Sequence, residues 1–139
     1  MKWLSLAFLF AASAASAAPF DVTDAWFRSL PGKLPAAGYF TAQNNTRRDV
    51  AITGARADGC GMLMIHQSRS AGGVNSMDML DKVTVPAGGQ VSFAPTGYHL
   101  MCTEPKPVMK PGATVPVTLL FQGGGKVTAS FIVRNAAGR

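Results

Sequence analysis

The residues best placed to do chemistry are histidines and methionines. The chain holds two histidines, His66 and His99. Beyond Met1 its methionines are Met62, Met64, Met77, Met79, Met101 and Met109. Five of these six share the window 62–101 with both histidines. Thioethers fill irregular core gaps well, so packing is the simplest role for any one of them. Their pairing with histidine points elsewhere. In "HLM", strand alternation puts His99 and Met101 on one face, with Leu100 and Cys102 on the other. An imidazole and a thioether are then presented together, while Leu100 and Cys102 face the core.

The stretch "MLMIHQSRSAGGVNSMDML" reads as a β-hairpin with "SAGG" at its tip. A four-residue loop, Ser70 to Gly73, sets His66 opposite Met77 and Met64 opposite Met79. A two-residue Gly72-Gly73 turn sets His66 opposite Met79 instead. Directly opposed residues share a face, with Cβ atoms about 5 Å apart. Either register gives a His–Met pair, and both stay open at this point. Two such pairs, brought together, make a site of two imidazoles and two thioethers. That set is neutral and soft, which suits Cu(I). Thioethers need no deprotonation, and they stay free where an oxidising compartment captures thiols. Zinc prefers thiolate, imidazole or carboxylate.

Other chemistries find less support. The seven acidic residues show no spacing suited to paired acid–base work. No nucleophile elbow, phosphate loop or HExxH helix occurs, so no enzyme class is indicated. A copper redox protein of the blue-copper kind would need a cysteine thiolate, with Cys102 as the candidate. Alternation turns Cys102 away from Met101, and its use as a ligand would strand Cys60. A metal-free β-sandwich with core methionines is the third reading.

The elements that must position these residues read as β throughout. Segments with strand character are "FDVTDAWFRSL", "AAGYFTAQN", "DVAITGARA", "MLMIHQS", "VNSMDML", "KVTVP", "QVSFAP", "YHLMCTE", "TVPVTLLFQ" and "KVTASFIVR". Gly- and Pro-rich turns separate them, which predicts an antiparallel sandwich or barrel. Val115, Val117, Leu119 and Phe121 fall on one strand face; so do Val127, Ala129, Phe131 and Val133. Trp26 is expected as a core anchor, because a large aromatic residue in a strand usually packs.

The first residues read as an export signal. Met1 and Lys2 precede an apolar run from Trp3 to Phe10, then "AASAASAAP". Cleavage is expected after Ala17, leaving residues 18–139 as a single β domain in the periplasm. The apolar run is well short of the ~20 residues a span needs, so no stable membrane insertion is expected. Without Lys2, the net charge of +6 becomes +5. The positive charges are scattered and do not interleave with aromatic residues, which argues against nucleic acid. A solvated basic surface is the simple reading; an acidic partner or an anionic membrane surface is the sharper one. Cys60 and Cys102, an even count in an exported chain, predict one disulfide. Closing a loop of about 40 residues contributes about 4 kcal/mol in the chain-entropy model.

The order His66, ten residues, Met77, twenty-one residues, His99, one residue, Met101 resembles the H-x10-M-x21-H-x-M signature of periplasmic copper chaperones of the PCuAC type. "DAWFR", "AAGYF", "VPAGGQVSFAPTGYHLM" and "PGATVPVTLLFQGGGKV" extend the resemblance over nearly the whole mature chain. The resemblance implies a cupredoxin-like Greek-key β-sandwich or barrel. It implies Cu(I) held near the surface by His66, Met77, His99 and Met101, and passed to an acceptor such as the CuA subunit of cytochrome c oxidase. It also implies the hairpin register that makes Met77 the ligand and Met79 a neighbour or reserve donor. Where many relatives carry a methionine just after the first histidine, Gln67 and Ser68 stand here. The cysteine pair lies outside the signature and fits a disulfide beneath the site, holding the His99 strand to the start of the His66 strand. The chain ends on "NAAGR" without a His/Met-rich tail, so a second site for Cu(II) is not expected.

Overall fold

The computed structural model describes residues 18–139; the export signal read over residues 1–17 lies outside them. Ten strands follow in chain order: β1 (Phe20–Arg28), β2 (Ala36–Asn44), β3 (Val50–Arg56), β4 (Cys60–Ala71), β5 (Val74–Leu80), β6 (Val83–Val85), β7 (Gln90–Phe93), β8 (Tyr98–Pro105), β9 (Thr114–Phe121) and β10 (Lys126–Arg134). Each coincides with one of the ten segments expected from the sequence. The turns between them use the backbone that glycine permits, as at Gly88, Gly112 and Gly123, all with positive φ.

Hydrogen bonding links the strands in the order β5-β4-β8-β2-β1-β10-β9-β3-β6, with β7 on β2. The sheet branches at β2, which is shared between two neighbours on one edge. Ala36–Gly38 pair with β8, while Phe40–Gln43 pair with β7. Inward aromatic residues fill the space between the layers. Phe40 of β2 stacks on Phe93 of β7 and meets Phe131 of β10, with ring centroids 4.3 and 5.8 Å apart. Phe27, Ile52, Leu100, Leu119, Val115 and Val117 complete the core. Burial of this kind, about 25 cal/mol per Å² of apolar surface, is the main force holding the layers together. The chain crosses from β3, near one end of the sheet, to β4, near the other. This is the cupredoxin-like Greek-key sandwich expected, with one departure from antiparallel pairing: β1 and β10 run parallel.

Trp26 is a correction. It is only half-buried, and Phe27 beside it is the core residue. The cause is a bulge in β1. The pairing with β2 gains one extra residue between Thr23 and Trp26, where Asp24 has φ 52°. An inserted residue reverses the facing of everything after it. Phe20 therefore points inward while Trp26 points outward, against Tyr39 with ring centroids 4.9 Å apart.

Candidate metal centre

The sequence of β4 alternates sharply. Leu63 and Ile65 are buried, so Met62, Met64 and His66 take the opposite face. In β8, Leu100 and Cys102 are fully buried, so His99 and Met101 take that same outer face. The two strands pair antiparallel with His66 opposite His99 and Met64 opposite Met101. The facing read from "HLM" is therefore the one observed.

The β4–β5 hairpin has the shorter loop. Ala71 pairs with Val74, and Gly72 and Gly73 form the turn with φ of 58° and 79°. Two consecutive positive φ values are what a two-residue hairpin turn of the strand-compatible hand requires, and glycine supplies both at no steric cost. His66 is consequently opposite Met79, and Met77 is opposite Ser68. The register implied by the family resemblance is corrected here. A direct His66–Met77 pairing would need a four-residue loop, and the Gly-Gly turn closes two residues later. Met77 stays on the same face, one diagonal step from His66, a Cβ separation of about 7–8 Å that a long thioether can span.

One outer surface thus carries both imidazoles and five thioethers, from Met62, Met64, Met77, Met79 and Met101. Met77 and Met79 are 58% and 67% exposed. Core packing does not account for them. Among the described residues, Met109, 5% exposed, is the one methionine that joins the core. Met62 and Met64 were not singled out as site residues from the sequence. The signal was there in "MLMIH", where period-two spacing places both on the face of His66.

The imidazoles are close and poorly satisfied. Their ring centroids are 5.7 Å apart with planes at 74°. His99 Nδ1 lies 3.3 Å from the carbonyl oxygen of Gly97, so its N–H is positioned to donate there. That contact leaves Nε2 as the lone-pair nitrogen, and Nε2 is buried with no hydrogen-bond partner. Neither ring nitrogen of His66 has a partner. Among the described residues, the one other buried side-chain nitrogen without a partner is Arg28 Nε. The buried polar side chains among the described residues are Asn44 and His99. Asn44 Nδ2 donates to the carbonyls of Arg48 and Val85, and its Oδ1 accepts from Thr46 N–H and O–H. Buried nitrogens without partners normally cost free energy. Here they sit side by side, with thioethers around them.

Burial lowers the pKa of His66, and the neighbouring His99 lowers it further. Both effects favour the neutral imidazole, the form that ligates a metal. Among the described residues no group of three or more His, Cys, Asp or Glu side chains converges. A carboxylate- or thiolate-rich site is therefore not what this face offers. Cys60 and Cys102 form the expected disulfide. Cys60 opens β4 and Cys102 lies three residues beyond His99, so the bridge ties the two histidine strands together underneath. It also removes Cys102 from the reach of any metal, which withdraws the ligand that a blue-copper centre would need.

Comparison with known proteins agrees with this architecture. The family model described as "Putative lipoprotein LpqE-like" matches residues 20–133, and the chain belongs to that family. A curated relative from Leifsonia xyli, "Putative lipoprotein Lxx21020", is 28% identical over 120 residues, covering 85% of this chain and 71% of that protein. Among solved structures, the copper-bound PCuAC domain from PmoF2 superposes with a TM-score of 0.70 at 20% identity, covering 87% of this chain and 97% of that one. The Cu(I) form of DR1885 from Deinococcus radiodurans superposes with a TM-score of 0.64 at 25% identity, covering 88% and 81%. The PCuAC-type resemblance read from the sequence is borne out. Among the described residues, no helix is long and apolar enough to cross a membrane.

Proposed function

We propose that this protein is an exported Cu(I)-binding metallochaperone rather than an enzyme. His66, Met77, His99 and Met101 hold the ion, and Met79 serves as a reserve donor opposite His66. The observation that carries this reading is the pair of neighbouring imidazoles with unpartnered nitrogens, ringed by exposed thioethers that the core does not use. Similarity to copper-bound PCuAC domains supports it.

The chemistry follows from the ligand set. Imidazole nitrogen and thioether sulfur are neutral donors, so binding Cu(I) leaves a single positive charge and releases no proton from sulfur. The buried His99 fixes one corner of the site. The thioethers of Met77 and Met79, on an outer hairpin, can leave one at a time while an acceptor's ligands enter. An ion held in this way is protected from water yet open to exchange. The receiving protein is a periplasmic acceptor, in our reading the CuA centre of cytochrome c oxidase.

Anaerobic Cu(I) titration tests the site. The mature chain is expected to take up one tightly held Cu(I). His99→Ala and Met77→Ala proteins should lose it or bind it far more weakly. Unchanged affinity in both variants would reject the assignment.

A further inference from the structure

Two thioethers on the metal-bearing face belong to neither the proposed ligand set nor the core. Met62 and Met64 follow one another at period two along β4, so their side chains are stacked on one face about 7 Å apart. Met62 is 57% exposed, and Met64 is half-buried. Met64 lies directly opposite Met101, and Met62 opposite Thr103. The row on β4 thus runs Met62, Met64, His66, and Met101 stands opposite Met64 on the neighbouring strand. Met62, the third residue of β4, leaves its thioether largely in solvent, and with Met77 and Met79 on the same face it makes an exposed apolar group rather than an isolated residue. The wet face of a sheet ordinarily carries polar residues.

We propose that Met62 and Met64 form a second, weaker station for Cu(I), next to the His66–His99 centre and joined to it through Met101. This rests on the reading of the histidine centre as a Cu(I) site. The ligand class follows from the donors: two thioethers with no carboxylate or imidazole of their own select a soft monovalent ion and reject zinc. The station is weaker because it lacks both imidazoles. Met101 is opposite Met64 and beside His99 on its own strand, so its sulfur serves either position. An ion moves along the row by exchanging one thioether at a time, with no change in oxidation state. The row gives the face a defined direction for loading or unloading, from the exposed Met62 end toward the buried His99 end.

The test is an anaerobic titration of the mature chain with Cu(I), followed by the NMR signals of methionines labelled with ¹³C at the methyl. The first equivalent should move the methyl signals of Met77 and Met101, and a second equivalent should move those of Met62 and Met64. Zn(II) should move neither pair. A Met62→Leu/Met64→Leu protein, which conserves volume and so keeps the fold, should keep the first equivalent and lose the second. If the parent takes up one equivalent and the Met62 and Met64 signals never move, the second station is wrong while the histidine centre stands. If no copper binds at all, both fall together.

Discussion

At the scale of single residues, polar atoms that lack partners mark the centre. Asn44 and His99 are both buried, His99 at 3% exposure, yet Asn44 has its bonds filled and His99 keeps Nε2 free. His66 adds a consequence in pH. Its pKa lies below the ordinary 6.5, first through desolvation and then through the electrostatic influence of the neighbouring His99. The unfolded chain therefore binds more protons than the folded one as the pH falls through that range. The stability linked to neutral His66 is present above pH 6.5 and is lost as the pH drops through the lowered folded value. In urea unfolding followed between pH 8 and pH 5, the metal-free protein should show a falling midpoint on the acid side. His66→Gln should flatten that part of the profile. The chemistry of these residues was legible early, because His, Met and their spacing are visible in the chain. Met64 and Met62 are legible too, through their period-two spacing from His66 in "MLMIH".

At the scale of elements, the hairpin β4–β5 decides which sulfur faces which imidazole. Both registers were compatible with the sequence, since each put a methionine opposite His66. The structure selects the two-residue turn through Gly72 and Gly73, each with positive φ and open space around it. A Cβ at either position would meet open space, but a valine would strain the backbone, at about 1–2 kcal/mol per residue. β5 pairs with β4 alone, so that strain falls on the hairpin rather than on the core. A Gly72→Val/Gly73→Val protein should keep nearly its full resistance to denaturant while its β5 amides lose protection from hydrogen exchange. Its Cu(I) affinity should fall with them. Full retention of β5 protection would show that the turn does not set the register. Trp26 teaches the same lesson. A bulge of one residue at Asp24 turned it outward, and nothing in "DAWFR" announces where an extra residue will be inserted.

At the scale of the whole molecule, the ten strands could be read because turn residues bound each of them. The parallel contact between β1 and β10 could not. β1 and β10 meet in the middle of the strand order although they are the first and last strands of the chain, and local pattern carries no information about which distant strands become neighbours. The fold's contribution to the centre is to bring β4, β5 and β8 side by side at one end of the sheet. Donors from residue 62 to residue 101 then share one surface, with the Cys60–Cys102 bridge beneath. The core of Phe27, Phe40 and Phe131 lies on the other side of that layer, so exchange of ligands at the surface leaves the packing undisturbed. Such a separation of a rigid interior from a labile rim suits a carrier that must give up its cargo.

The most direct measurement is X-ray absorption at the copper edge on the mature chain loaded anaerobically with one equivalent of Cu(I). The expected result is monovalent copper with both imidazole nitrogen and thioether sulfur neighbours, and weaker sulfur scattering in the Met77→Ala protein, where Met101 remains. A first shell of nitrogen and oxygen alone, or copper that washes off the parent chain as readily as off the His99→Ala protein, would contradict it.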